Sequence, residues 1–115
     1  MEKNHIKEWW KRGSESELKF RVWKDNRFQC DIDLKLVDGK TDCIVQQYIG
    51  CRDINGREIY EGDILKTDEA GWIGVVVFGN GWFMIEDGRG GFSGMPNWSG
   101  CEVIGNILEN PEVME

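Results

Sequence analysis

The stretch Asn55–Leu65 reads NGREIYEGDIL. Asn-Gly and Gly-Asp are turn-forming dipeptides, and each is followed within three positions by an apolar residue. Three carboxylates, those of Glu58, Glu61 and Asp63, lie in or between the two turns. The stretch therefore has two interpretations. It is either a carboxylate site for metal or acid–base chemistry, or a pair of structural turns between short strands.

The residue spacing does not fit a calcium-binding EF-hand loop. The residues from Asp53 to Gly56 match part of an EF-hand loop, but with Gly56 as the sixth loop residue the first is Cys51 and the twelfth is Gly62. Neither residue supplies the carboxylate that those positions require. We therefore predict no metal and two structural turns. The residues of this turn motif are Asp53, Asn55, Gly56, Gly62 and Asp63.

Composition predicts a glycine-rich, acidic, mostly β protein. Fifteen of the 115 residues are glycine, about twice the usual ~7%, and most of them separate short apolar runs. Residues 1–27 carry eight Lys/Arg against five Asp/Glu, whereas residues 28–115 carry six against sixteen, a net charge of −10. That balance argues against a phosphate-binding surface on the main body. The basic N-terminal part could still contact an acidic partner, including the body of another copy.

The four cysteines do not predict a metal site or a secreted protein. They include no C-x-x-C pair, so we expect reduced thiols packed as small hydrophobes and no zinc. The N-terminus is charged and lacks the apolar segment of a signal peptide. The expected location is the cytoplasm.

Periodicity predicts four regions. Residues 4–13 read as a short helix with Trp9 and Trp10 on one face, followed by a linker at 13–17. Alternating apolar residues in 18–23 and 28–36 predict an N-terminal hairpin that turns at 24–26. Residues 46–109 hold about five short strands, enough to close a small barrel. The predicted regions are 1–17 (helical extension and linker), 18–45 (hairpin), 46–109 (barrel) and 110–115 (tail).

Within the barrel region, three features carry specific expectations. The apolar run 72–78 predicts a strand covered on both faces, and Gly-Asn-Gly at 79–81 predicts a hairpin turn with positive φ. Residues 87–100 form a glycine-rich segment predicted as a long loop. Gly105 inside the last strand predicts a bulge or bend.

The sequence has few residues typical of catalytic sites and many aromatic residues. His5 is the only histidine, and no nucleophile–histidine signature is present. Six tryptophans are many for 115 residues; Trp72 and Trp82 are expected in the core. Trp is also enriched where proteins bind partners. The candidate partner-binding residues are Trp9, Trp10, Phe92, Met95 and Trp98.

Three segments in order, KFRVW (19–23), QQYIGCRDINGREIYEGDIL (46–65) and CEVIGNILENPEV (101–113), resemble the YopX family of small proteins encoded mainly by phages and prophages. The resemblance covers residues 18–113, leaves residues 1–17 as an extension and departs from the family at Cys51. It implies an SH3-like barrel in the second half and a bacterial host cell. It implies no activity and no cofactor.

The expected function is that of a non-enzymatic accessory protein that binds another protein or itself, without a cofactor. One alternative is a nucleic-acid-binding SH3-like module that uses the basic N-terminal segment. A second is mimicry of DNA by the acidic body. The third is a hydrolase built on Glu58, Glu61 and Asp63.

Overall fold

The computed structural model describes residues 18–29, 43–68, 71–87, 92–94 and 96–115. The predicted helix with Trp9 and Trp10, the linker, most of the predicted strand 28–36 and Met95 lie outside these residues. For Phe92 the backbone is described and the side chain is not.

The described chain is mostly β, as predicted, and its sheets form a half-barrel. The first sheet has the order β2-β1-β3-β4 and the second the order β8-β7-β6-β5-β9. All of the paired strands run antiparallel. The strands are β1 (Phe20–Lys24), β2 (Arg27–Gln29), β3 (Ile44–Arg52), β4 (Glu58–Tyr60), β5 (Asp63–Lys66), β6 (Ile73–Gly79), β7 (Trp82–Glu86), β8 (Phe92–Gly94) and β9 (Glu102–Asn106).

Two tight turns join strands where the sequence predicts them. Asp25 and Asn26, between β1 and β2, have φ of 55° and 62°. Asn80 and Gly81, between β6 and β7, have φ of 54° and 87°. Two successive positive φ values are characteristic of type I′ turns, whose twist matches that of the flanking strands. Asn and Gly tolerate this conformation best, so these two turns follow directly from residue type.

Other parts of the second sheet differ from the expectation. Residues 87–100 are not a loop throughout, because β8 pairs with β7 and a 3-10 helix spans Trp98–Gly100. The apolar run in β6 is only partly covered, since Val76 is buried while the side chain of Phe78 is 55% exposed. The predicted bulge is present: Ile64 pairs with Gly105 and Leu65 with Val103, which leaves Ile104 as the extra residue.

One buried cluster forms the core. Its members are Ile59, Leu65, Val76, Ile85, Cys101 and Val103, with Ile49, Trp72, Phe83 and Trp98 packed against it. Cys101 is fully buried, and its thiol donates to the carbonyl of Asn97 at 3.3 Å. Burial, followed by the charges of Asp68 and Asp53, raises the pKa of that thiol. It therefore packs as a small hydrophobe.

β3 runs from the predicted hairpin region into the predicted barrel region. Its residues 44–47 pair with β1, and its Tyr48 and Arg52 pair with β4 across a register shift. The predicted boundary between residues 45 and 46 falls inside this strand. A 3-10 helix, Pro111–Met114, follows β9 in the predicted tail.

Candidate functional site

The first turn of the opening stretch is organised by the buried carboxylate of Asp53. Its Oδ1 accepts hydrogen bonds from the backbone amides of Asn55 and Arg57, at 2.9 and 2.8 Å. Its Oδ2 accepts from the amide of Val103 in β9, at 2.9 Å, and the amide of Ile54 donates to the carbonyl of Cys101. The turn therefore takes the place of a neighbouring strand along this part of β9.

Asp53 is 5% exposed. Burial alone would raise the pKa of its carboxyl, but the three amides and the charge of Arg57 together lower it. Hydrogen bonds to the ionised form thus outweigh desolvation. The carboxylate is fixed as an acceptor and is not poised to exchange a proton near neutral pH.

Asp53→Asn is expected to reduce the free energy of unfolding at neutral pH by about 1–3 kcal/mol, because charged acceptors make the stronger hydrogen bonds. The wild type has this contribution above the ordinary Asp pKa. It loses the contribution as the pH falls through the ordinary Asp pKa toward the lowered pKa of the folded state, since the unfolded chain takes up the proton first. Urea unfolding at a series of pH values measures both effects. A difference between the two proteins that stays constant across the acid range would contradict this account of Asp53.

The second turn leads into a buried polar cluster of Arg21, Gln46, Asp63 and Asn106. The side chains of Gln46, Asp63 and Asn106 are 5%, 2% and 3% exposed. Asp63 Oδ1 accepts from Arg21 Nη2 at 2.6 Å and from Asn106 Nδ2 at 3.2 Å, and its Oδ2 accepts from the amide of Tyr60 at 2.8 Å. Gln46 Oε1 accepts from Arg21 Nε and Asn106 Nδ2. Within the described ranges no buried side-chain nitrogen or oxygen lacks a hydrogen-bond partner.

Arg21 contacts two aromatic rings. Its guanidinium carbon lies 4.3 Å from the centroid of Phe28 and 4.5 Å from that of Tyr60. Stacking of this kind suits the planar guanidinium and leaves its edge free to bind Asp63 and Gln46. The four residues of the cluster come from β1, β3, β5 and β9, so the cluster joins the first sheet to the second.

Gly62 lies at the centre of this junction. Its amide donates to the carbonyl of Val76, and its carbonyl accepts from the amide of Ile107. Its φ is +87°, and a Cβ added there would lie 2.1 Å from Gln46 Nε2. Only glycine therefore fits both the backbone conformation and the space beside the cluster.

The remaining charged residues of the opening stretch bind neighbouring strands. Glu58 forms ion pairs with Lys19 and Arg52, and the hydrogen bond from Lys19 is the largest cause that lowers the pKa of Glu58. Glu61 Oε1 accepts from the amide of Gln47 at 3.4 Å. Because Glu58 and Asp63 each face a cation, the stretch joins strands and does not present unpaired carboxylates.

The burial of the aromatic residues differs from the expectation. Trp98 is half-buried and packs against the core, as does Trp72, while Trp82, expected in the core, is 50% exposed. Phe78 lies opposite Phe83 in the β6–β7 hairpin, with ring centroids 5.0 Å apart. We call Phe78 and Trp82 the aromatic tip. Sequence reasoning missed these two exposed residues because the apolar run and the tryptophan both resemble core residues.

Sequence reasoning also missed Arg21, Gln46 and Asn106. Each of these three residues lies in one of the three segments that carry the family resemblance. The resemblance could therefore have pointed to these three residues, but it could not have shown that they contact each other.

Among the clefts of the described surface, two adjoin residues named above. A polar cleft of about 250 Å³ adjoins the buried polar cluster and Arg57. A second cleft, of about 320 Å³, lies at the end of the β6–β7 hairpin opposite its turn, against Trp72 and the C-terminal 3-10 helix. Across the described ranges, His, Cys, Asp and Glu side chains form no group of three or more that could hold a metal ion.

The fold and its glycine-dependent turns define a small, mostly β protein. The family model described as "YopX protein" matches residues 1–115, and the chain belongs to this family. The match covers the whole chain and so extends beyond residues 18–113, which the sequence resemblance covers.

A solved structure shares this architecture. The crystal structure of protein EF1440 from Enterococcus faecalis is similar, with 25% sequence identity and a TM-score of 0.57 over 86% of this chain and 99% of that one. No curated protein matches the chain. In the part of the chain that the structure describes, no helix is long and apolar enough to cross a membrane.

Proposed function

We propose that this chain is a non-enzymatic accessory protein of a phage or prophage, acting in the bacterial cytoplasm through association with another protein or with itself. The observation that carries the proposal is the aromatic tip. Phe78 and Trp82 are 55% and 50% exposed at the turn end of the β6–β7 hairpin. They lie on opposite faces of the hairpin, because Phe78 pairs with Phe83 and Trp82 with Gly79. Large aromatic residues held on a rigid turn are typical of binding surfaces, because they bury much area at little cost in side-chain entropy.

The carboxylates of the opening stretch support a non-enzymatic role. A general acid needs a raised pKa, whereas contact with Lys19 lowers the pKa of Glu58. Asp63 is 2% exposed and accepts from Arg21. Neither group is arranged to protonate a substrate or to activate water.

The charge distribution favours a protein partner over nucleic acid. Residues 28–115 carry a net charge of −10. Lys19, Arg21 and Arg52 each bind a carboxylate of this chain. Phosphate binding would need these cations to exchange partners, which lowers the affinity that counterion release can supply.

We also propose that the second sheet is an SH3-like barrel within residues 46–109, preceded by the hairpin region 18–45. The meander β5-β6-β7-β8, with β9 returning beside β5 after a 3-10 helix, supports this assignment. In such a barrel the aromatic tip would lie on a hairpin loop at one end, accessible to a partner.

The proposal predicts that Phe78→Ser/Trp82→Ser loses association. Tagged wild-type protein and the double variant are compared by quantitative capture from the host cell and by light scattering. Wild type is expected to retain a partner, or to show a dimer mass, that the double variant lacks. The matched control is Ile54→Ser, which removes an apolar side chain that is 64% exposed at a different turn and is expected to behave as wild type.

Thermal unfolding of all three proteins checks that the variants are folded. Equal capture and equal mass for wild type, the double variant and the control would contradict the proposal.

A further inference from the structure

We propose that residues 1–17 dock through Trp9 and Trp10 onto one face of the first sheet of the same chain. The docking surface consists of Phe20, Val22 and Val45, and we call it the outer patch. Residues 1–17 lie outside the described part of the chain, and the sequence predicts a short amphipathic helix within them. The two tryptophans then serve an internal contact in place of a partner's surface.

The outer patch lies on the face of the first sheet opposite the buried polar cluster. In β1, Arg21 faces the cluster, where it binds Gln46. Successive residues of a strand point to opposite faces, so Phe20 and Val22 point away from the cluster. Val45 in β3 is directly opposite Val22 and therefore shares its face. The patch is thus an apolar area across the two central strands of this sheet.

Burial within the patch supports a chain segment that covers its centre. Val22 is 3% exposed, although Phe20 and Val45 beside it on the same face are 37% and 38% exposed. The two strands that flank β1 lie in the same sheet and leave its faces uncovered. A helix with its side chains is about 10–12 Å across, and neighbouring strands are about 4.8 Å apart. A single helix would therefore bury the centre of the patch and leave its margins partly exposed.

The sequence pattern and the length of the tether select residues 1–17 as this segment. Ile6, Trp9 and Trp10 share one face of the predicted helix, and a helix this short needs a surface for that face because it is not stable alone in water. Residues 13–17 span up to about 17 Å when extended. Val22 is four strand residues, about 13 Å, from Leu18, where the segment joins the strand. The predicted helix can therefore fold back over the patch.

Two further observations favour residues 1–17 of the same chain over other occupants. The predicted strand 28–36 continues β2, whose register places it beside β1 in the sheet and not across its face. Residues 4–13 carry three Lys/Arg against one Glu, and residues 28–115 carry a net charge of −10, so the two attract each other. A short tether raises the effective concentration of the segment to about the millimolar range. That concentration favours its own patch over the patch of a second copy.

Nuclear Overhauser effects in the full chain test the docking directly. Contacts are recorded between tryptophan ring protons and ¹³C-labelled valine methyls. Trp9→Phe, Trp10→Phe and Val45→Ile assign their resonances by loss of signal. The ring of Trp9 or Trp10 is expected to contact the methyls of Val22 or Val45. A mixture of labelled and unlabelled chains separates contacts within one chain from contacts between copies. Absence of these contacts, or contacts only between copies, overturns the proposal.

A matched pair of variants locates the docking surface. Phe20→Thr/Val45→Thr keeps β-branched residues in the strands and is expected to speed amide exchange in residues 6–12 by about tenfold, because the undocked helix unfolds locally. Ile54→Thr/Val113→Thr removes two apolar side chains that are 64% and 37% exposed elsewhere and is expected to change that exchange less than about twofold. Equal acceleration by both pairs, or none by either, overturns the assignment of the patch. If the first variant does not fold, the contacts measured in the wild type decide.

Failure of this inference differs from failure of the proposed function. If Trp9 and Trp10 do not contact the outer patch but capture still depends on the aromatic tip, only the docking is wrong. If they contact it and the tip variant still captures the same partner, only the role of the tip is wrong.

Discussion

Gly62→Ala is expected to reduce the free energy of unfolding by about 2–5 kcal/mol, a large part of the total for a domain of this size. Two costs add. A residue with a Cβ at φ +87° is strained by about 1–2 kcal/mol, and the new methyl would overlap Gln46 Nε2, which lies 2.1 Å from the Cβ position. Overpacking of this kind costs about 1–3 kcal/mol. Urea unfolding followed by near-ultraviolet circular dichroism measures the loss.

The control for Gly62 is in the same stretch. Gly56 has φ +81°, but nothing lies within 4 Å of its Cβ position. Gly56→Ala should therefore show the conformational cost alone, about 1–2 kcal/mol. In a Gln46→Ala background the overlap is absent, so the additional cost of Gly62→Ala should fall to about that of Gly56→Ala. Equal losses for the two single variants would contradict the packing argument.

Arg21→Ala is expected to cost about 3–5 kcal/mol in unfolding free energy, because it leaves the buried carboxylate of Asp63 without its cation. The ion pair is 2.6 Å long, and the side chain of Asp63 is 2% exposed. Stacking on Phe28 and Tyr60 is lost at the same time. Chemical unfolding monitored by tryptophan fluorescence measures the change.

Two comparisons separate the charge from the packing. Lys19→Ala breaks the more exposed pair with Glu58, 36% and 23% exposed, and should cost less than about 1 kcal/mol. Arg21→Ala/Asp63→Asn removes both charges and should be more stable than Arg21→Ala alone. If Arg21→Ala cost no more than Lys19→Ala, the cluster would not be what joins the two sheets.

The sequence was sufficient for features that depend on single residues or short patterns. The Asn80-Gly81 turn, the bulge near Gly105 and the mostly β class all follow from conformational preference and periodicity. Which aromatic residues are buried and which are exposed did not follow from the sequence. Trp72 and Trp82 have similar neighbours in the sequence. Only their positions at opposite ends of the β6–β7 hairpin place Trp72 against the core and Trp82 in solvent.

The candidate site was predictable only in part. The turn residues Asp53 and Gly62 could be named from their types, but the partners of Asp53 in β9 and of Asp63 in β1 and β9 are 40 to 50 residues away along the chain. Contacts over such separations depend on how strands are ordered in the sheets. A single sequence contains no local pattern that reports this order.

These long separations also affect synthesis of the chain on the ribosome. The carboxylate of Asp53 is made 50 residues before the amide of Val103 that it binds. At about 5–20 residues per second, that delay is roughly 3–10 s. Throughout this interval the nascent chain lacks β9, and any chain that ends before residue 102 can pair β5 with β6 but has no strand for the other edge of β5. The stretch NGREIYEGDIL can therefore complete its hydrogen bonds only when nearly all of the chain has been translated.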